Sequence, residues 1–247
     1  MTARLLVTRP SEDATRVVEA LRRMGVGALV EPLIFIEPVA GAVSDLAGVQ
    51  AVLATSANGA RALAKMERRR DIPLFAVGDA TATTAREAGF EFVESAAGDV
   101  ESLVQLVHAR LDPAAGSLLH VAGSHVAGNL AARLDGAGFR YRRAILYQAR
   151  AAGRFSAETA QALAGGTIDG ALFFSPRTAA TFVNLSRQAR LDGATTELTA
   201  FCLSPAVAET VRALFWSRVL VAPSPDLESL MERVGMALGG PGGMEKS

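Results

Sequence analysis

The sequence predicts an α/β protein made of two related units, each built on a parallel sheet. Three observations carry this expectation. Short apolar runs alternate with helix-period stretches along nearly the whole chain. Those runs end in small, hydroxyl- or glycine-bearing turns at the point where a helix starts: Thr55-Ser56-Ala57-Asn58-Gly59-Ala60, Val77-Gly78-Asp79-Ala80-Thr81-Ala82, Phe174-Ser175-Pro176-Arg177-Thr178-Ala179 and Leu203-Ser204-Pro205-Ala206-Val207-Ala208. Finally, the order of these features occurs twice.

The duplication extends beyond the turns. Leu5-Leu6-Val7-Thr8-Arg9-Pro10 leads through a helical stretch to Gly25 and then Glu31-Pro32-Leu33, and Leu118-Leu119-His120-Val121 leads similarly to Gly138 and then Ile145-Leu146-Tyr147. Gly98-Asp99-Val100-Glu101-Ser102-Leu103 is matched by Pro225-Asp226-Leu227-Glu228-Ser229-Leu230. Matching pairs lie about 110 to 130 residues apart, which means two copies and not an array of short repeats. All βα units resemble one another, but here order is preserved as well as type.

Taken in order, strands are expected at 4–8, 27–36, 50–54, 73–77, 90–93, 117–121, 140–149, 168–174, 199–203 and 217–221. Helices are expected at 11–24, 57–69, 79–88, 99–110, 125–136, 156–164, 176–190, 205–214 and 226–238. Ser11, Asp99 and Asp226 are positioned as N-caps, and Gly25 and Gly89 as helix stops. Pro176 and Pro205 fall in first turns, where a missing N–H costs least. The extended segments 31–38 and 140–150 differ from the rest and suit crossings between domains.

With 247 residues the chain can bury one large core or two small ones, and the repeat favours two. Half the residues are hydrophobic and a fifth charged, as in a soluble α/β protein. Lys plus Arg and Asp plus Glu number 25 each, so the overall field gives no reason to expect nucleic acid or an anionic membrane as partner. The single Cys202 excludes an intrachain disulfide, suits a reducing compartment and reads as a buried small hydrophobe. The amino-terminal apolar run breaks at Thr8-Arg9-Pro10, too soon for a signal-peptide core, and a cytoplasmic protein is expected. The glycine-rich stretch 239–243 and the residues after it have the composition of a loose tail, 241–247.

No G-x-G-x-x-G, Walker-type or G-x-S-x-G motif occurs, so NAD, FAD, ATP and a hydrolase elbow are poor fits. His108, His120 and His125 have no metal-ligand spacing, and no metal is expected; His125 fits either a cleft or solvent. What remains are helix starts with unpaired N–H groups beside Ser and Thr hydroxyls, an arrangement suited to carboxylates or phosphates. Plain helix capping would use the same residues. Arg9 and Arg177, at two of these turns, are candidates for charge-assisted contacts and equally ordinary surface arginines.

Thr8-Arg9-Pro10, Thr55-Ser56-Ala57-Asn58-Gly59, Val77-Gly78 with Thr81, the segment from Gly138 to Tyr147, and Ser175-Pro176 with Thr178 together resemble the uroporphyrinogen-III synthase family, from Leu5 to about Met236. The resemblance implies two flavodoxin-like, parallel-sheet α/β domains joined by a two-stranded β linker, with a ligand cleft between them. It maps one domain to 1–37 plus 150–240 and the other to 38–149, so that each takes parts of both copies. A monomer is expected.

The resemblance further implies a cofactor-free hydro-lyase acting on hydroxymethylbilane. The bilane loses its terminal hydroxyl as water, and the resulting azafulvene is attacked at the substituted carbon of ring D. The spiro intermediate opens and recloses to uroporphyrinogen III with ring D inverted. Because the bilane can close unaided to the uninverted isomer, imposing a conformation is the enzyme's main task.

On this basis Tyr147 and Thr81 are the catalytic candidates, with Tyr147 hydrogen-bonding or protonating the leaving hydroxyl; a phenol keeps its proton at neutral pH. A linker residue packing its ring between domains is the alternative for Tyr147. Arg9, Thr55, Ser56, Asn58, Gly78, Gly123, Ser175, Arg177 and Ser204 are the substrate-binding candidates, facing a substrate with eight carboxylates. One departure stands out. The family often carries a Gly-Pro-Thr-Thr turn where this chain has Ser204-Pro205-Ala206-Val207, leaving Val207 opposite Thr81. Two other functions fit: a two-domain binder of a small anion or tetrapyrrole without catalysis, and a paralogue acting on a modified tetrapyrrole.

Overall fold

A computed structural model describes residues 2–42, 45–124 and 129–239. The expected tail at 241–247, and His125 with the start of the helix expected at 125–136, lie outside the described residues.

The chain runs through β1 (Arg4–Val7), α1 (Ser11–Arg23), β2 (Gly27–Val30), β3 (Ile34–Pro38), β4 (Val49–Ala54), α2 (Ala57–Met66), β5 (Leu74–Ala76), α3 (Asp79–Glu87), β6 (Val93–Ser95), α4 (Val100–Arg110), β7 (Ser117–Gly123) and α5 (Leu130–Gly136). It continues with β8 (Arg140–Ala151), α6 (Ala157–Ala164), β9 (Gly170–Phe173), α7 (Pro176–Gln188), β10 (Thr199–Cys202), α8 (Pro205–Val211), β11 (Arg218–Val221) and α9 (Leu227–Leu238), with a 3-10 helix, Asp192–Glu197, after α7. Two compact units divide it: Met1–Phe35 with Arg150–Ser247, and Ile36–Ala149. Among the described residues no helix is long and apolar enough to cross a membrane.

Each unit has its own sheet, in the order β11-β10-β9-β1-β2 in the first and β3-β8-β7-β4-β5-β6 in the second. Apart from the pairing of β3 with β8, the ladders are parallel. Reversed and with its end strand β3 set aside, the second order is β6-β5-β4-β7-β8, which matches β11-β10-β9-β1-β2 strand for strand across the duplication. The first sheet therefore takes β1 and β2 from one copy and β9, β10 and β11 from the other. The second sheet takes the complement.

Both faces of each sheet are buried, which is why its strands appear in the sequence as nearly unbroken apolar runs. In the first unit Leu6, Ala171 and Phe173 enter one core while Leu5, Val7 and Leu172 enter another on the opposite face. In the second, Val52 and Ala54 face one core and Ala51 and Leu53 the other. Helices cover these faces, giving two doubly wound α/β sheets.

Local chemistry sets the boundaries. Asp99 and Asp226 cap α4 and α9 by accepting from the Ser102 and Ser229 N–H groups. Gly25 and Gly89 end α1 and α3 at φ of 71° and 92°. In each case the next residue donates back into the last turn, Val26 to Leu21 O and Phe90 to Ala85 O.

Some expectations are corrected. Ser11 is the first residue of α1 and not its cap, because Pro10 occupies the cap position without a side-chain bond. The strand expected at 27–36 is two strands in different sheets. The break falls at Glu31 and Pro32, where the buried Glu31 carboxylate accepts from Ser156 N, Ser156 Oγ and Thr159 Oγ1 and ties the chain to the start of α6. Phe90 completes the α3 stop and packs in the core, so the strand expected at 90–93 starts only at Val93. The helix expected at 205–214 ends at Val211, and the 3-10 helix at Asp192–Glu197 was not expected.

Candidate functional site

The duplicated turns have matching backbones. Ser56 and Ser175, the N-caps of α2 and α7, sit at φ/ψ of −152°/150° and −152°/152°; each hydroxyl accepts the N–H three residues on. Gly78 and Ser204, at the starts of α3 and α8, sit at −152°/169° and −152°/164°. All four follow the carboxyl ends of parallel strands, the usual ligand edge of such sheets.

In the second unit this edge gathers candidates from three strands. Thr55 and Ser56 follow β4, Gly123 ends β7, and Tyr147 lies in β8. The Ser56 and Tyr147 hydroxyl oxygens are 2.8 Å apart. A register shift brings them together: Ala122 pairs with Ile145, but Gly123 pairs with Tyr147, leaving Leu146 as an extra residue on β8. Such a bulge re-aims the side chains beyond it. Tyr147 consequently lies over Gly123, where a Cβ would come within 2.8 Å of its ring atoms Cε2 and Cζ. Gly59 supplies the other close approach, since a Cβ there would stand 2.5 Å from Val121 O on β7.

Beneath this edge lies a hydrogen-bond chain. His120, fully buried in β7, has Nε2 3.0 Å from Thr55 Oγ1 and Nδ1 2.6 Å from the Tyr141 hydroxyl. Burial, with the Arg143 guanidinium nearby, pushes His120 down to about 4, so the ring is neutral at pH 7. Burial also pushes the Tyr141 phenol up. Arg143 Nη2 donates to Gly123 O at 2.7 Å and Ser124 O at 3.3 Å, holding the end of β7. His120, Tyr141 and Arg143 were not among the sequence candidates. The one available signal was a histidine inside an otherwise apolar strand.

The remaining candidates of this unit are less central. Asn58 Oδ1 accepts from Arg61 one turn along its own helix. Gly78 heads α3 with only Gly98 O near a hypothetical Cβ, at 4.0 Å. Thr81 is 7% exposed in the first turn of α3, and its counterpart Val207 is 1% exposed in α8.

In the first unit, Arg9 stacks over Phe174, 4.6 Å from the ring centroid, and lies 3.9 Å from the Asp13 carboxylate. Ser175 follows directly and shares its hydroxyl with Thr178 Oγ1 at 2.9 Å. Arg177 is exposed in the first turn of α7. Ser204 caps α8 by position, without a side-chain bond. Arg9, Ser175, Arg177 and Ser204 thus share the carboxyl edge of the first sheet, as Thr55, Ser56, Gly123 and Tyr147 share that of the second.

The family model described as uroporphyrinogen-III synthase HemD matches residues 15–232, most of the chain. This chain belongs to the uroporphyrinogen-III synthase HemD family. Among solved structures, the uroporphyrinogen-III synthetase of Helicobacter pylori 26695 superposes with a TM-score of 0.65 at 16% identity, covering 96% of this chain and 100% of that one. A mutant uroporphyrinogen III synthase from the extremely thermophilic bacterium Thermus thermophilus follows at a TM-score of 0.51 and 17% identity, covering 96% and 98%. No curated protein sequence gave a match. At these identities the two structures speak for the fold, and the HemD fold accounts for both parallel-rich sheets.

Proposed function

We propose that this HemD-family chain is a uroporphyrinogen-III synthase, which closes hydroxymethylbilane to uroporphyrinogen III with loss of one water and inversion of ring D. The observation that carries this reading is the 2.8 Å contact between Tyr147 and Ser56 at a carboxyl sheet edge. Ser56 Oγ already accepts the Gly59 N–H at 3.2 Å. Its second lone pair can take the Tyr147 proton in the ligand-free site, and a ligand hydroxyl that takes over that proton lets the Ser56 hydroxyl turn to donate to the phenol oxygen.

A phenol so oriented hydrogen-bonds the hydroxyl of the terminal hydroxymethyl group. Breaking the C–O bond releases hydroxide, which takes up a proton and departs as water, leaving an azafulvene cation. The substituted α-carbon of ring D attacks this cation to give the spiro intermediate. Fragmentation and reclosure at the other α-carbon, with loss of a proton, give the inverted ring. The overall change is loss of water without net oxidation, and the protein's contribution is chiefly to hold the bilane in the productive shape.

The eight carboxylates suit the rest of the candidate set. The N–H groups at the starts of α2, α3, α7 and α8, the hydroxyls of Thr55, Ser56, Ser175 and Ser204, and the guanidinium groups of Arg9 and Arg177 are all donors to anions. Gly78 leaves room beside them, Gly123 admits the Tyr147 ring, Asn58 offers an amide, and Thr81 supports the turn at α3. Incubating the protein with freshly generated hydroxymethylbilane and separating the oxidised products tests the proposal. An excess of the type III isomer is expected; the type I isomer alone would sink the reading.

A further inference from the structure

His120 is fully buried in the middle of β7, and a buried polar ring there is costly unless both nitrogens are satisfied. They are, and by groups of different kinds. The Tyr141 oxygen lies 2.6 Å from Nδ1, and Thr55 Oγ1 lies 3.0 Å from Nε2. A neutral imidazole has one donor nitrogen and one acceptor nitrogen, so the two bonds are coupled: fixing one fixes the other. A phenol is a strong O–H donor whose oxygen is a weak acceptor, and an unprotonated imidazole nitrogen is a strong acceptor. The short contact is therefore Oη–H donating to Nδ1. The ring proton is then on Nε2 and is donated to Thr55 Oγ1. With one lone pair occupied from below, the Thr55 proton turns outward. Thr55 is half-buried at the sheet edge, one residue before Ser56, so that outward side is the ligand side.

We propose that the Tyr141–His120 pair is a positioning relay that fixes the Thr55 hydroxyl as a hydrogen-bond donor to a carboxylate of the ligand, beside the Ser56–Tyr147 pair. The polarity matters because a carboxylate only accepts. A Thr55 hydroxyl that donated inward to Nε2 would instead present its lone pairs to the ligand's negative charge. The relay gives the buried histidine a role that depends on its tautomer and not on its charge. It rests on the reading of this edge as the site of a polycarboxylate substrate, but it can fail separately from the synthase activity.

Two measurements on the full chain test it. The first is the tautomer, from long-range 1H–15N correlation spectra of the histidine rings. His120 is expected with its proton on Nε2; a proton on Nδ1 overturns the relay whatever the protein catalyses. The second is binding of uroporphyrin III, a stable octacarboxylate probe, followed by fluorescence. Losing one hydrogen bond to a charged group corresponds to about tenfold weaker binding, expected for Thr55→Val. Tyr141→Phe removes a single hydroxyl at a half-buried position. It is expected to weaken binding several-fold in the wild-type background and to add nothing in Thr55→Val. Unchanged binding in Tyr141→Phe, additive losses in the double variant, or no uroporphyrin III binding by the unaltered protein would each overturn the proposal. A protein with the expected tautomer and coupled binding that makes only the type I isomer would refute the synthase reading and leave the relay standing.

Discussion

Tyr147 and Ser56, 91 positions apart in sequence, bring their hydroxyl oxygens within 2.8 Å and so join strand β8 to the N-cap of α2. Two local devices create this contact. The bulge at Leu146 turns Tyr147 over Gly123, and the cap geometry of Ser56 presents its hydroxyl above the sheet edge.

Removing the phenolic hydroxyl tests the contact most directly. Tyr147→Phe keeps the ring that covers Gly123 and loses only the donor. Turnover is expected to fall more than tenfold, against the about 10²-fold or more that a positioned acid supplies, with an unchanged thermal midpoint. Wild-type rates in steady-state assays would remove Tyr147 from the mechanism.

Gly123→Ala attacks the same contact from below. The new methyl would stand 2.8 Å from Tyr147 Cε2 and Cζ, so the ring must shift and its contact with Ser56 is disturbed. The tip of a half-buried tyrosine can move, so activity should drop at least as far as in Tyr147→Phe. Stability should fall by about 1 kcal/mol, at the low end for overpacking. A paired comparison of turnover and chemical denaturation decides the matter; normal turnover would mean that the ring need not lie where it does.

Much of the fold was legible because strands buried on both faces leave continuous apolar runs, and because Asp99, Asp226, Gly25 and Gly89 carry unambiguous cap and stop chemistry. The split between β2 and β3 was not. Residues around Pro32 are extended in either case, and what ends β2 is the distant bonding of Glu31 to Ser156 and Thr159. Similarly, Ser56, Gly123 and Tyr147 could be named one by one, whereas His120 with Tyr141 could not. Their contact depends on the β7–β8 register, which pairs His120 with Arg143 and lets Tyr141 reach it diagonally.

Thr81 is expected to matter less than Tyr147. It lies in the first turn of α3 and is 7% exposed, and the equivalent position in α8 is Val207. Thr81→Val is nearly isosteric, so it should reduce the rate of type III product formation modestly, by about twofold to fivefold, less than loss of a positioned acid. Kinetics indistinguishable from wild type would leave Thr81 a purely structural residue of the helix start.

Cys202 is buried in β10, and burial pushes its thiol up to about 12. The thiolate is the reactive form, so at pH 7 the native protein should resist alkylation. Iodoacetamide labelling followed by intact-mass measurement should give little adduct in buffer and a single adduct in denaturant. Rapid labelling of the folded chain would contradict the packing around β10.

His120 should leave its mark on stability as the pH falls. The imidazole goes from its ordinary value of 6.5 to about 4 on folding, so between these values the unfolded chain binds the extra proton and the native state does not. Stability is therefore complete above about pH 6.5, declines as pH falls through the window, and levels off below 4. The full effect is about 3 kcal/mol, of which about 2 kcal/mol falls between pH 7 and 5. The lowered carboxyl groups of Asp45, Glu67, Asp71 and Asp99 contribute mainly below that range, because their ordinary values are 3.8 to 4.5. Urea titrations at pH 7, 6 and 5 on the wild type and His120→Gln separate the two. The variant should lose most of the slope between pH 7 and 5, since glutamine takes up no proton there. Equal slopes in the two proteins would mean that His120 is protonated in the folded state, which is incompatible with a neutral ring between Tyr141 and Thr55.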